Sequence, residues 1–101
     1  MIRHAVIFGI RGDEGLNSIQ KAKELKALLL TLVGKVPEIK RMEVGINHPD
    51  APDGNAELIL ICDFDTIEDC AMYQINPDHV VVAKEIGKVK ISRACVDYQV
   101  D

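Results

Sequence analysis

Residues 56–64 read Ala56-Glu57-Leu58-Ile59-Leu60-Ile61-Cys62-Asp63-Phe64. In an extended chain Leu58, Leu60, Cys62 and Phe64 share one face, and Ile59 and Ile61 share the other. Both faces are apolar, so this strand is expected inside a sheet, buried on both sides. The opening stretch has the same character. Ile2, His4, Val6, Phe8 and Ile10 alternate with Arg3, Ala5, Ile7 and Gly9, again with apolar residues on either face. These two strands form the expected centre of the sheet.

The elements around them follow from periodicity and turn chemistry. After the Gly12-Asp13-Glu14-Gly15 turn, Asn17 stands three residues before Gln20, a helix-capping arrangement. Leu16, Ile19, Ala22, Leu25, Leu29, Leu32 and Val33 then recur at helical spacing, with Lys21, Lys23, Glu24 and Lys26 on the opposite side. Gly34 and the Val36-Pro37 step end that amphipathic helix. A second strand is expected from Ile39 to Asn47, closed by the turn formers of 48–55. After the third strand, Asp65 or Thr66 caps a short helix through Tyr73. A further helix starts with Asn76 as cap and Pro77 at its first position, and runs to about Gly87. A last strand spans Lys90 to Val100.

The resulting order is β-α-β-β-α-β with the second helix broken at Pro77, the α+β, ferredoxin-like split arrangement with a four-stranded antiparallel sheet. That topology puts the first and third strands in the middle, where the hydrophobic pattern also puts them. The 101 residues make one domain, 1–101. Two helices cover only one face of such a sheet. Ala5, Ile7, Ile59 and Ile61 on the other face are poor residues to leave wet. At about 25 cal/mol per Å², covering them contributes several kcal/mol per chain. A homodimer packed sheet to sheet is therefore expected, with a heterologous partner or a ligand on that face as the competing reading.

Composition narrows function by exclusion. Twelve basic against sixteen acidic side chains leave a formal charge of −4, which opposes a nucleic-acid or anionic-membrane surface. The four aromatic residues, two Phe and two Tyr, offer no platform for stacked bases. Three cysteines, Cys62, Cys70 and Cys95, lack CxxC spacing and fit neither a disulfide framework nor a zinc site, so reduced thiols in a cytoplasmic protein are the expectation. Cys62 is expected in the core and Cys70 partly exposed. The apolar stretch before Arg11 is too short for a signal peptide, and no run approaches the roughly 20 apolar residues of a membrane span. Gly9, Gly12 and Gly15 enclose carboxylates that repel phosphate, and His48, Asp50 and Asp53 fail calcium-loop spacing. No metal site and no cofactor are expected.

Three residues remain as candidates for chemistry. His4, on the helix-facing side of the first strand, reads either as a core histidine satisfied by a backbone carbonyl or as part of a site. His79 lies in the first turn of the last helix, where the macrodipole favours the neutral, proton-accepting ring. Tyr73, just before the break, offers a hydroxyl to an imidazole. Converging, the three make a small acid-base site beneath an apolar roof.

The chain resembles the stress-responsive A/B barrel family of dimeric α+β barrels. The similarity rests on Arg3-His4-Ala5-Val6-Ile7-Phe8, Val36-Pro37-Glu38-Ile39 followed by Val44-Gly45-Ile46-Asn47, Phe64-Asp65, Tyr73-Gln74-Ile75-Asn76-Pro77-Asp78-His79 and Val96-Asp97-Tyr98-Gln99-Val100. Together these cover essentially the whole sequence. The resemblance implies a ferredoxin-like protomer that pairs through its sheet. From the family's plant polyketide cyclase it implies His79 as general base, Tyr73 as its orienting partner and His4 as a hydrogen-bonding group for a carbonyl or enolate, without metal or cofactor. Leu29 stands where that cyclase has an aromatic hydroxyl, and Asn76 where many relatives have a second histidine. The expected function is a dimeric module that acts in a stress response or binds a small apolar or phenolic molecule. The alternative is a cofactor-independent enzyme, cyclase-like or monooxygenase-like, using the same three residues.

Overall fold

The structure, a computed structural model, describes residues 1–100. The chain runs β1 (Ile2–Ile10), α1 (Ser18–Leu30), β2 (Arg41–Ile46), β3 (Leu58–Phe64), α2 (Ile67–Ile75), α3 (Pro77–Gly87) and β4 (Lys90–Gln99). The strands form one antiparallel sheet in the order β2-β3-β1-β4, with the two most apolar strands at its centre as their pattern requires. The register places Ala5 opposite Ile61 and Ile7 opposite Ile59 across β1 and β3. No helix among the described residues is long and apolar enough to cross a membrane.

All three helices lie on one face. Val6, Phe8, Ile10, Leu58, Leu60, Cys62 and Phe64 from the sheet meet Ala22, Leu25, Leu29, Tyr73, Val82 and Ile86 from the helices in a continuous core. The Asn17 capping box forms in full: Gln20 N–H donates to Asn17 Oδ1, and Asn17 N–H donates to Gln20 Oε1, each at 2.9 Å. Thr66 caps α2.

Several local expectations need correction. Helix α1 stops at Leu30 rather than continuing to Gly34, because the Thr31 hydroxyl donates to Leu28 O at 2.6 Å and the following N–H groups take i→i−3 partners. Leu32 stays buried while Val33 turns outward. Gly34 adopts φ +88°, a conformation that side chains disfavour, in the turn that follows. Lys21, assigned to the wet side of α1, is buried along its stem, and its ammonium reaches Glu24 Oε1 at 2.9 Å. Strand β2 is shorter than the alternation suggested, and β3 begins at Leu58 rather than Ala56. Cys70, expected to be partly exposed, is buried against β1 and β4 because α2 turns that face onto the sheet.

The helix-free face is divided. Toward the start of β1, Arg3 donates through Nε and Nη2 to both oxygens of Asp63, at 2.8 and 3.0 Å, and Arg41 stands 3.8 Å from the same carboxylate. This pairing holds the Asp63 carboxyl below its usual range. Asp63 breaks the apolar pattern of its strand without leaving a buried charge unmet. Further along, Ile7 and Ile59 remain 46% and 36% exposed, and Val96 is 61% exposed. The burial expected on both sides of β3 is thus complete on the helical side only.

Candidate functional site

The break between α2 and α3 builds the site. Were the helix continuous, the Asp78 N–H would bond to the Gln74 carbonyl. Pro77 and the extended Asn76 prevent this, and the Asp78 N–H donates instead to Asn76 Oδ1 at 2.9 Å. The orphaned Gln74 carbonyl then accepts from His79 Nδ1 at 3.0 Å. Only a protonated Nδ1 can donate to a carbonyl, so the neutral ring has its lone pair on Nε2. Nε2 itself has no hydrogen-bond partner among the described residues.

Burial lowers the His79 pKa; the Gln74 carbonyl opposes that shift, and the charges of His4 and Arg93 add to it. The outcome is the neutral imidazole expected from the helix start, with burial as its main cause.

His4 is held by a different set of groups. Its Nδ1 donates to Asp97 Oδ1 at 2.5 Å, and its Nε2 meets the Gln74 side-chain amide at 3.4 Å. The backbone-carbonyl partner expected for a core histidine is replaced by a carboxylate from β4, which the register puts directly opposite His4. Gln74 therefore joins the two histidines, through its carbonyl to His79 and its amide to His4.

Tyr73 departs from expectation. Its hydroxyl is buried with no hydrogen-bond partner among the described residues, so it does not orient an imidazole by donation. Burial raises its pKa and keeps it protonated, with the Cys62 thiol as its polar neighbour. Its contact with the histidines is through the ring. The centroids lie 4.3 Å from His79 and 6.0 Å from His4, the latter in an edge-on arrangement.

Phe8, Leu29, Leu60, Ala83 and Ile86 close the walls of a cleft of about 140 Å³ whose polar lining is Tyr73, Gln74, His79, Lys90 and Arg93. His4 lies one layer behind this lining. A larger hollow of about 380 Å³ opens on the helix-free face near the β2–β3 turn, but it lacks poised chemistry. Its His48 Nδ1 accepts from the Asp50 N–H, and its Glu57 accepts from the Ile10 N–H. The cleft beside His79 is therefore the candidate site. No thiol is activated: burial pushes Cys62 up to about 12 and raises Cys70 and Cys95.

The sequence reading brought forward His4, Tyr73 and His79 but missed Gln74, Arg93 and Asp97. The signal for the last two was the period of β4. Arg93, Cys95 and Asp97 alternate on the strand's helix-facing side, where an apolar row would be the rule.

Comparison with known proteins agrees with this architecture. A dimeric, ferredoxin-like protein of unknown function from Bacteroides fragilis superposes with a TM-score of 0.83 at 29% identity, over 98% of this chain and 95% of that one. A dimeric ferredoxin-like protein from Thermobifida fusca gives 0.80 at 23% identity, over 98% and 90%. A hydroxynitrile lyase from Passiflora edulis gives 0.77 at 17% identity, over 99% and 93%, a likeness of fold alone. No curated protein sequence matches. The sequence profile of the Stress responsive A/B Barrel Domain matches residues 2–100, and the chain belongs to that family.

Proposed function

We propose that this chain is a homodimeric binding module that takes a single-ring apolar or phenolic molecule into the cleft between α1, α3 and the sheet. The observation that carries this reading is the bare Nε2 of a neutral His79 in a cleft of about 140 Å³ walled by Phe8, Leu29, Leu60, Ala83 and Ile86. A cavity of roughly 150 Å³ accepts benzene. A phenol hydroxyl would donate to Nε2, the ring would pack on Leu29, Leu60 and Ile86, and Arg93 at the mouth would favour a partly anionic oxygen. His4 acts as a positioning residue through Gln74. The dimeric relatives support a homodimer, and the exposed Ile7 and Ile59 are the reason for pairing it sheet to sheet through Ala5, Ile7, Ile59 and Ile61.

The test is a titration with a panel of substituted phenols, followed by thermal shift and by the His79 ring signals in NMR. Wild type should gain thermal stability and shift those signals. His79→Ala should melt within a degree or two of wild type and lose the response. A loss of several degrees with no ligand effect in either protein would overturn the reading.

The same geometry favours a second reading, in which Nε2 acts as a general base in a cofactor-independent, cyclase-like reaction. It predicts that the protein exchanges the α-protons of a small aryl ketone with solvent deuterium faster than buffer does, and that His79→Ala does not. Exchange no faster than buffer would remove this reading and leave the binding module intact.

A further inference from the structure

Behind the cleft, on the far side of His4, three ligand-type side chains converge from three elements, with a fourth beside two of them. A ring nitrogen of His4 from β1, Cys70 Sγ from α2 and a carboxylate oxygen of Asp97 from β4 lie within 4.8 Å of one another. Cys95, two residues from Asp97 on the same face of β4, places its sulfur 3.5 Å from His4 Nδ1 and 3.7 Å from Asp97 Oδ1. We propose that His4, Cys70, Cys95 and Asp97 form a binding site for a single borderline-soft divalent cation, Zn²⁺ being the best fit.

The donor set of one nitrogen, two sulfurs and one oxygen matches the ligands zinc takes and does not suit magnesium or calcium, which prefer oxygen. With metal–ligand bonds of about 2.0–2.3 Å, the edges of a tetrahedral zinc site measure about 3.3–3.8 Å. The edges from Cys95 to His4 and Asp97 already have that length, while Cys95 stands outside the group whose ligand atoms all lie within 4.8 Å and must draw toward Cys70 as the ion binds. The edge between His4 and Asp97, now 2.5 Å across a hydrogen bond, must open by roughly 1 Å as the ion takes the place of the bridging proton. The Asp97 side chain is 37% exposed on an edge strand and has room for that movement. His4 and Cys70 are each only 3% exposed, so the ion would enter from the Asp97 side.

Chain spacing hides the site, because the four positions span from residue 4 to residue 97 and contain no CxxC pair. The sequence expectation of no metal rested on that spacing, whereas the register of β1 with β4 brings the ligands together. Binding would also act on the cleft. With a cation on Nδ1, the neutral ring holds its proton on Nε2, so the nitrogen that now accepts from Gln74 would become a donor. The proposal is independent of whether the cleft binds a phenol.

Titration of the reduced chain with Co²⁺, as a spectroscopic stand-in for zinc, tests it. One equivalent should produce thiolate-to-cobalt charge-transfer absorption and intense tetrahedral visible bands, both abolished by one equivalent of Zn²⁺. Cys95→Ser and Cys70→Ser should each weaken the charge-transfer band. Asp97→Asn, which keeps an acceptor oxygen for the His4 ring but removes the charge, should reduce affinity at least roughly tenfold. Only the weak spectrum of six-coordinate cobalt, or a band unchanged in both Cys95→Ser and Asp97→Asn, would overturn the site. Both variants alter β4, so the outcome stands even if Cys70→Ser fails to fold.

Discussion

The two faces of the sheet are built from the same strands but finished differently. On the helical side Val6, Leu60, Cys62 and Phe64 are sealed by α1, α2 and α3. On the other side Ile7 and Ile59, one residue away along the same strands, stand 46% and 36% exposed. Adjacent residues of one β-strand therefore stand in different surroundings, those on one face within the core of the chain and those on the other at the proposed seam. The chemistry follows the same division. His4, His79, the thiols and the cleft all lie on the sealed side, while the open side carries aliphatic residues and the Arg3–Asp63–Arg41 cluster.

The largest expected effect breaks that comparison at the open face. Ile61→Glu or Ile7→Glu would bury an unpaired carboxylate at the proposed seam, at a cost of about 3–5 kcal/mol, and should leave monomers by light scattering at micromolar concentration. Unaltered mass would place the interface elsewhere. Next, Leu60→Ala should cost about 2–5 kcal/mol in denaturant unfolding at any protein concentration, since its cavity lies within the chain. Ile59→Ala should cost less and show a loss that depends on concentration. Equal, concentration-independent losses at 59 and 60 would erase the distinction between the faces.

A smaller effect concerns pH. Burial keeps the His79 pKa below its ordinary value of about 6.5, so the unfolded chain binds this proton more tightly than the folded one. Its contribution is neutral above about pH 6.5, and stability falls as pH drops through that value toward the lower folded pKa. His79→Gln should flatten this part of the stability profile in urea titrations at several pH values. A profile identical to wild type would mean that His79 is as accessible to protons in the folded state as in the unfolded one.

The fold was largely legible because each signal was local. The Asn17 capping box, the Asn76-Pro77 start of α3 and the doubly apolar β1 and β3 state their conformation within a few residues, and the topology follows from their order. The end of α1 was misread because helical spacing continues through Leu32 and Val33, while a side-chain bond from Thr31 to the backbone ends the helix first. His4, Tyr73 and His79 could be named from their types and positions. Their relations could not, because these depend on long-range register and on where an orphaned carbonyl falls. Asp97 reaches His4 only through β4 pairing, and Gln74 binds His79 only because the helix breaks two residues later. The Tyr73 ring therefore lies against His79 with its hydroxyl unpaired, where a hydroxyl–imidazole bond was expected.

Sedimentation equilibrium of the unmodified protein is the most direct measurement of whether the open face is finished by a second copy. A species of twice the 11.2 kDa chain mass, persisting on dilution to low micromolar concentration, is the expected result. A stable 11.2 kDa particle with Ile7 and Ile59 left in water would contradict it.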